Sequence, residues 1–325
     1  MKENRTLSKP KKLLSAVSGA MSEAMSEEKR TSAMMDALRA VHSAASPDSM
    51  DAKDLERQRR GHELLGRLVS PTLGLSWEPF EHEGLPMAWV RPERGHDPNR
   101  VVLYCHGGGY TAGTLQYSRI LASKTAQATG HAVLCFAYRL APEHPYPAAV
   151  EDALHAWDYL MHLGYGARDT AVLGDSAGGN LALVLTLRLR EAGRRLPRRL
   201  ALFSPWTDMT CTGESYALCR DLDPMLTANY IHAVRHAYAA GRNLRDAHLS
   251  PLFADFSGFP PTLIQVGSHE ILRSDATRLR RRMLDAGVLC RLEEWENLWH
   301  VFQMFPIKKA EQAMEQAGAF LLDGF

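Results

Sequence analysis

The amino-acid sequence predicts an α/β fold in which a mostly parallel central sheet is flanked by helices. From Val101 onward, short apolar runs alternate with longer stretches of helical periodicity, as expected of parallel strands joined by helical crossovers. At one junction, residues 174–180, an apolar run passes into a helical run through a serine flanked by glycines. With 325 residues, 45% hydrophobic and 23% charged, the chain can bury one large core.

Residues 1–70 are predicted to form a helical N-terminal region that is part of a cap. The first apolar positions recur at three- and four-residue steps, at Met21, Met25, Met34, Met35, Leu38 and Val41. After the break at residues 46–48, a second stripe follows at Leu55, Leu64, Leu65, Leu68 and Val69. A frayed tail with one docked helix is the alternative for residues 1–45.

Residues 71–325 are predicted to form one domain. Two strands with a turn at Glu83-Gly84 come first, and buried apolar runs then predict strands at 101–105, 131–138, 170–173, 200–203, 262–266 and 289–295. Helices are expected near 119–129, 150–161, 181–190, 271–286 and 306–322. Residues from 207 to about 250 lose strand character and are predicted to be a helical insertion that covers the strand ends, with a helix opening at Asp223.

Charge and cysteine content exclude several kinds of partner. The net charge is +1, so no long-range field would attract nucleic acid or an anionic membrane. No apolar run approaches the roughly 20 residues of a membrane span. The five cysteines form no C-x-x-C pair, and Cys105 and Cys135 lie in apolar strands. They indicate buried thiols in a reducing, cytoplasmic compartment, without disulfides or a metal site.

Two further points stay open at this stage. Residues 9–20 faintly resemble a signal peptide, but the apolar stretch is short and no clean cleavage site follows. The sequence also leaves a homodimer open as an alternative to a monomer.

Gly174-Asp175-Ser176-Ala177-Gly178 has the G-x-S-x-G pattern of a nucleophile elbow. The glycines are expected because a side chain would crowd so tight a bend. The turn would place the Ser176 hydroxyl at a helix N-terminus, where unpaired N–H groups favour negative charge. An ordinary glycine-rich turn with a solvated serine is the alternative. We interpret Asp175 as structural, bonded to nearby backbone.

The other members of an acyl-transfer site can be sought at the carboxyl ends of neighbouring strands. His106 and three glycines follow the strand at 101–105, and the N–H of Ala177 is a further donor for an oxyanion. His300, after the last strand, is the predicted base because the order serine, acid, histidine is that of α/β-hydrolases. Glu270 is the predicted acid, with Asp275 as second choice.

Residues of the pocket wall are harder to identify. Five large side chains lie where walls would be expected, although core packing explains them equally well: Tyr110, Trp206, Met209, Met225 and Leu226. Glu143, among prolines, is expected to brace its loop.

Four motifs together carry a resemblance to a known family. They are residues 106–110 (HGGGY), 138–143 (YRLAPE), 174–180 (GDSAGGN) and 300–302 (HVF). In this order they resemble the bacterial hormone-sensitive-lipase family, carboxylesterases of the α/β-hydrolase fold, over about Leu73 to Phe325. Most members have aspartate where this chain has Glu270.

The resemblance implies a serine–acid–histidine triad, no cofactor, and small-molecule esters of short or medium acyl chains as substrates. It also implies an oxyanion hole formed by the N–H groups of Gly107, Gly108 and Ala177. We therefore expect a serine carboxylesterase. An amide or N-acetyl hydrolase on the same residues, or a ligand-binding module without activity, are the alternatives, and His300 argues against the latter because the family's inactive receptors lack this histidine.

Overall fold

The computed structural model describes residues 26–45, 51–68, 73–95 and 97–322. Expectations for Met21, Met25 and Val69 lie outside these residues. The helices are α1 (Glu27–Ala45), α2 (Ala52–Leu68), α3 (Leu115–Thr129), α4 (Ala148–His162), α5 (Ala177–Glu191), α6 (Ser215–Leu218), α7 (Ala228–Ala239), α8 (Arg273–Asp285) and α9 (Lys308–Leu322). Short 3₁₀ turns lie at Pro251–Phe253 and Phe302–Met304.

The strands are β1 (Leu75–His82), β2 (Leu85–Pro92), β3 (Val101–Cys105), β4 (Ala132–Phe136), β5 (Thr170–Asp175), β6 (Leu200–Phe203), β7 (Thr262–Gly267) and β8 (Cys290–Trp295). They form one sheet in the order β1-β2-β4-β3-β5-β6-β7-β8. The β1–β2 and β2–β4 pairs are antiparallel and the others are parallel. The predicted mostly parallel sheet is therefore confirmed.

Each face of the sheet carries its own apolar core. Along β3, Val101, Leu103 and Cys105 belong to the core that includes α4, α5 and α8, whereas Val102 and Tyr104 belong to the core that includes α3 and α9. This alternation follows from the two-residue period of a strand. A strand covered on both faces has no polar side, which explains the continuous apolar runs in the sequence.

Cys105 and Cys135 are buried free thiols, as predicted. Burial raises the pKa of both thiols well above the usual range of cysteine. In the described part of the chain, no helix is both long and apolar enough to cross a bilayer.

Two helices begin at other positions than the sequence predicts, because side-chain caps decide where they start. Helix α3 starts at Leu115 rather than near Arg119, since Thr114 Oγ1 accepts the Tyr117 N–H. Helix α7 starts at Ala228, capped by Thr227, rather than at Asp223. The Asp223 carboxylate instead accepts N–H groups of the turn that precedes this helix.

Helix α2 is bonded to three segments that are distant from it in sequence. The Gln58 amide donates to the Tyr230 hydroxyl of α7 at 2.7 Å and accepts from the Thr111 hydroxyl at 3.1 Å. Arg59 donates to the Thr111 carbonyl and pairs with Glu143. Glu143 thus ties the proline-rich loop to α2, as expected of a bracing residue.

Close approach of α2 to α3 depends on a glycine. A Cβ atom at Gly66 would lie 2.6 Å from the Gln116 carbonyl oxygen and 2.8 Å from the Tyr117 nitrogen, which are backbone atoms. At Gly61, on the same helix, an added Cβ would meet nothing within 4 Å.

We predict that Gly66→Ala lowers the free energy of unfolding by about 1–3 kcal/mol, because the methyl group must push the two helices apart. Gly61→Ala should be neutral or stabilising by up to about 1 kcal/mol, since alanine is the better helix former. Thermal and urea unfolding of both variants measure this. Equal stability of the two variants would contradict the described packing of α2 on α3.

Candidate active site

Ser176 lies at the apex of the turn between β5 and α5, with φ 55° and ψ −120°. A serine at positive φ is strained, which is typical of a side chain presented at a functional site. A Cβ at Gly174 would lie 2.2 Å from the Gly178 carbonyl oxygen, and one at Gly178 would lie 2.0 Å from the Cys105 carbonyl oxygen. The predicted steric need for glycine at both positions is confirmed.

The structure brings His300 next to this serine and Glu270 next to His300. His300 Nε2 lies 2.9 Å from Ser176 Oγ, and His300 Nδ1 lies 3.0 Å from Glu270 Oε2. His300 is not at the end of a strand, since β8 ends at Trp295 and four residues separate the two. Val301 then adopts φ 48°, an unusual conformation for a β-branched residue.

Three donors hold the carboxylate of Glu270. Oε1 accepts the Gly267 N–H at 2.5 Å and the Ser204 hydroxyl at 2.9 Å, which leaves Oε2 for His300. Ser204 Oγ also accepts the N–H of Val301 at 3.0 Å. Sequence reasoning missed Ser204, which joins the acid to the histidine loop from a third strand end.

Asp275, the second choice for the acid, lies elsewhere. It is in the first turn of α8, where its Oδ2 accepts the N–H groups of Thr207 and Asp208 at 2.8 Å each. Burial raises the pKa of Asp275 to about 7, although these hydrogen bonds act in the opposite direction. Its carboxylate therefore supports the backbone after β6 and makes no hydrogen bond to His300 in the described structure.

One N–H group of the glycine loop after β3 is already hydrogen-bonded, contrary to expectation. The N–H of Gly107 donates to Asp175 Oδ1 at 2.9 Å, so the expectation that it would be free for an oxyanion is wrong. Gly107 cannot carry a side chain, because its Cβ would lie 2.3 Å from Asp175 Oδ2. Gly108 and Gly109 follow at φ 114° and 63°, and their N–H groups make no hydrogen bond within the described residues.

Asp175 is buried and bonded to nearby backbone, as predicted. Besides Gly107, the Tyr104 hydroxyl donates to the same Oδ1 atom at 2.6 Å. Burial raises the pKa of Asp175 to about 6, although both hydrogen bonds lower it. The residue before the serine thus fixes the glycine loop relative to the elbow.

Asp223 is a second residue that the sequence analysis did not place at the site. Its Oδ1 accepts the N–H groups of Met225 and Leu226, and its Oδ2 accepts the N–H of Ile271 at 2.9 Å. Asp223 therefore links the turn before α7 to the residue that follows Glu270. Burial raises the pKa of Asp223 to about 6, although the nearby His300 lowers it.

The electrostatics of the site favour a positive charge on His300. Burial lowers the pKa of His300, but the hydrogen bond and charge of Glu270 outweigh this effect, with smaller contributions from Asp223 and Asp175. The net pKa is higher than usual for histidine. An imidazole with raised basicity, between a hydroxyl and a carboxylate, can take the hydroxyl proton and be stabilised as imidazolium.

The five predicted pocket residues are mostly closed off from solvent. Tyr110 stacks on Tyr238 with 3.6 Å between ring centroids, and its hydroxyl donates to Asn180. Tyr110 and Met209 have no exposed surface, and Trp206 and Leu226 have little, so core packing accounts for them. Met225 alone of the five keeps partial exposure.

Comparison with known proteins identifies the family. A model of the alpha/beta hydrolase fold matches residues 102–304. An acetyl-hydrolase of Streptomyces hygroscopicus is 40% identical over 235 residues, which span 72% of this chain and 78% of that protein. The crystal structure of an esterase from the bacterial hormone-sensitive lipase family superposes with a TM-score of 0.84 at 37% identity, covering 92% of this chain and 98% of the other.

A structure of EstE5, soaked with p-nitrophenyl butyrate, has a TM-score of 0.83 at 33% identity, with 92% and 98% coverage. These similarities extend over both the fold and the segments that carry Ser176 and His300. The chain belongs to the bacterial hormone-sensitive lipase family of α/β-hydrolases and is a carboxylic ester hydrolase.

Proposed function

We propose that the protein is a serine esterase that hydrolyses short- to medium-chain acyl esters through an acyl-enzyme intermediate. The observation that carries this proposal is the continuous hydrogen-bonded chain from Ser176 through His300 to Glu270, with contacts of 2.9 and 3.0 Å. Such contacts have the length that nucleophile activation by a general base requires.

In this mechanism Ser176 attacks the ester carbonyl carbon while His300 Nε2 takes its proton. Glu270 holds the proton on Nδ1, so that Nε2 is free to accept, and stabilises the imidazolium. His300 then gives the proton to the leaving alcohol. Water, activated by the same histidine, attacks the acyl-enzyme and releases the carboxylic acid and the free serine.

The oxyanion would be stabilised by the N–H groups of Gly108, Gly109 and Ala177. This set replaces Gly107, whose N–H already donates to Asp175. Ala177 is the first residue of α5, where the N–H group lacks an intrahelical acceptor and the helix dipole favours negative charge. Backbone donors that are fixed before the reaction need no reorganisation when the charge develops.

We further propose that α1, α2 and the insertion at about 207–250 form a cap over the site of the catalytic domain, residues 71–325. The bonds of Gln58 to Tyr230 and Thr111 support this arrangement, because they join both cap segments to the loop of the oxyanion donors. A cap over the site would limit the space for the acyl chain, which favours small esters. The name acetyl-hydrolase of one relative, and the soaking of EstE5 crystals with p-nitrophenyl butyrate, agree with short acyl groups.

The test of this function is a panel of p-nitrophenyl esters from acetate to palmitate, with p-nitroacetanilide as the amide. We expect the highest kcat/KM between acetate and hexanoate, and at least about 10³-fold loss in Ser176→Ala, since the nucleophile is removed. A higher kcat/KM for long-chain esters would refute the proposed range of acyl-chain lengths. Faster amide than ester hydrolysis would favour the N-acetyl hydrolase, and unchanged activity of Ser176→Ala would refute the mechanism.

The identity of the acid is tested by a matched pair of variants. Glu270→Gln should lower kcat by roughly 10²- to 10⁴-fold, because the wrong imidazole tautomer is favoured and the imidazolium loses its support. Asp275→Asn should change kcat little, since that carboxylate bonds to backbone away from His300. Glu270→Asp should keep part of the activity. A crippled Asp275→Asn with an active Glu270→Gln would exclude Glu270 as the acid.

The acid limb of the pH–rate profile tests the electrostatics of His300. Only neutral His300 can act as base, so kcat/KM should rise with pH through a pKa above 6.5, the ordinary value. Asp223→Asn removes a nearby negative charge and should shift this limb to lower pH by on the order of half a unit. Asp221→Asn, at an exposed position two residues away, is the control. A shift to higher pH in Asp223→Asn would contradict the described electrostatics.

A further inference from the structure

Three side chains that the esterase mechanism does not use lie close together at the turn between β1 and β2. His82 is the last residue of β1, Glu83 lies in the turn, and His155 lies on α4. Strand β1 is at the edge of the sheet, four strands from β5 and hence about 19 Å from Ser176 at the usual strand spacing. The cluster is therefore separate from the proposed active site.

The three side chains converge on one point. Each offers one ligand atom, and these atoms lie within 4.8 Å of one another. His155 Nε2 is 3.3 Å from Glu83 Oε2. Tetrahedral Zn²⁺ with bonds of about 2.0–2.2 Å places its ligand atoms about 3.4 Å apart, so small rotations of the side chains bring the set to bonding distance.

Convergence of His82 and Glu83 requires the local backbone. Neighbouring residues of a regular strand point to opposite faces, so these two can meet only because the chain turns at Glu83. Glu83 has φ 49° and Gly84 has φ 80°. Two-residue turns of this kind favour asparagine, aspartate or glycine at the first position, so glutamate is an unfavourable choice for the turn alone.

Both histidine rings are packed against neighbouring side chains. The His82 ring lies 4.7 Å from the Tyr159 ring and 5.3 Å from the His155 ring. His155 Nε2 is shielded from solvent and makes no hydrogen bond within the described residues, since the contact with Glu83 lacks hydrogen-bond geometry. A buried imidazole nitrogen that faces a carboxylate and a second imidazole is suited to bind a cation.

We propose that His82, Glu83 and His155 bind one divalent transition-metal ion. Two imidazoles and a carboxylate are borderline ligands suited to Zn²⁺, and also to Ni²⁺ or Cu²⁺, with water completing the coordination. The ion would fasten the β1–β2 hairpin to α4. It takes no part in hydrolysis, because the site lies at the far edge of the sheet.

The test uses untagged protein, Zn²⁺ as the probe, and calorimetric titration together with thermal unfolding. The wild type should bind one ion per chain at this site and unfold at a higher temperature with Zn²⁺ than with chelator. His155→Ala should lower the affinity by at least about tenfold, since even the loss of an outer-sphere partner commonly costs as much. His162→Ala, an exposed histidine on the same helix, should bind like the wild type.

Hydrolysis of p-nitrophenyl butyrate by each variant is the control for an intact fold. Glu83→Gln is a second variant that removes a ligand carboxylate with less change of side-chain size. Binding that is equal in the wild type, His155→Ala and Glu83→Gln would overturn the proposal, because the ion would then lie elsewhere. Absence of binding of Zn²⁺, Ni²⁺ and Cu²⁺ to the wild type would also overturn it. Neither result would affect the proposed esterase mechanism, which rests on other residues.

Discussion

The buried carboxylate of Asp175 is the contact on which the geometry of the site depends. It lies directly before Ser176 and accepts the Gly107 N–H and the Tyr104 hydroxyl on one oxygen. The elbow and the glycine loop come from neighbouring strands, β5 and β3, and this contact fixes the distance between them. Because Gly107 has no room for a side chain, the carboxylate and the loop backbone define each other's position. The free N–H groups of Gly108 and Gly109 follow from this arrangement, since the first donor of the loop is already engaged.

Three carboxylates, those of Glu270, Asp223 and Asp175, raise the pKa of His300. Glu270 bonds to the imidazole directly, while Asp223 and Asp175 act over longer distances. Burial opposes ionisation of Asp223 and Asp175 and raises the pKa of each to about 6. A pKa of about 6 is below the raised pKa of His300, so these two groups are ionised at a pH where the histidine is neutral, and in the proposed mechanism they would stabilise its protonated form. Ser204 adds no charge, but its hydroxyl holds Glu270 and the Val301 backbone together.

The strands and the serine turn could be predicted from the sequence because they depend on short-range patterns. Buried parallel strands are apolar throughout, and the G-x-S-x-G pattern indicates within five residues where the backbone has no room for side chains. Contacts between distant segments could not be predicted in this way. Asp223 is an acidic residue directly before a proline, and this local pattern predicted the start of a helix. Its carboxylate instead accepts the N–H of Ile271, 48 residues away in sequence. The Gly107 donor was misassigned for the same reason, since its acceptor lies 68 residues away.

Several residues around the site adopt left-handed backbone conformations that side chains disfavour. Tyr110, Ser176, Ser204 and Val301 have φ values of 63°, 55°, 47° and 48°. Each costs roughly 1–3 kcal/mol, a considerable share of a net folding stability of about 5–15 kcal/mol. The two cores on either side of the sheet must offset this cost. Thermostability is therefore best sought by changes outside this set, because relaxing these four backbones would stabilise the chain at the expense of the geometry of its reactive groups.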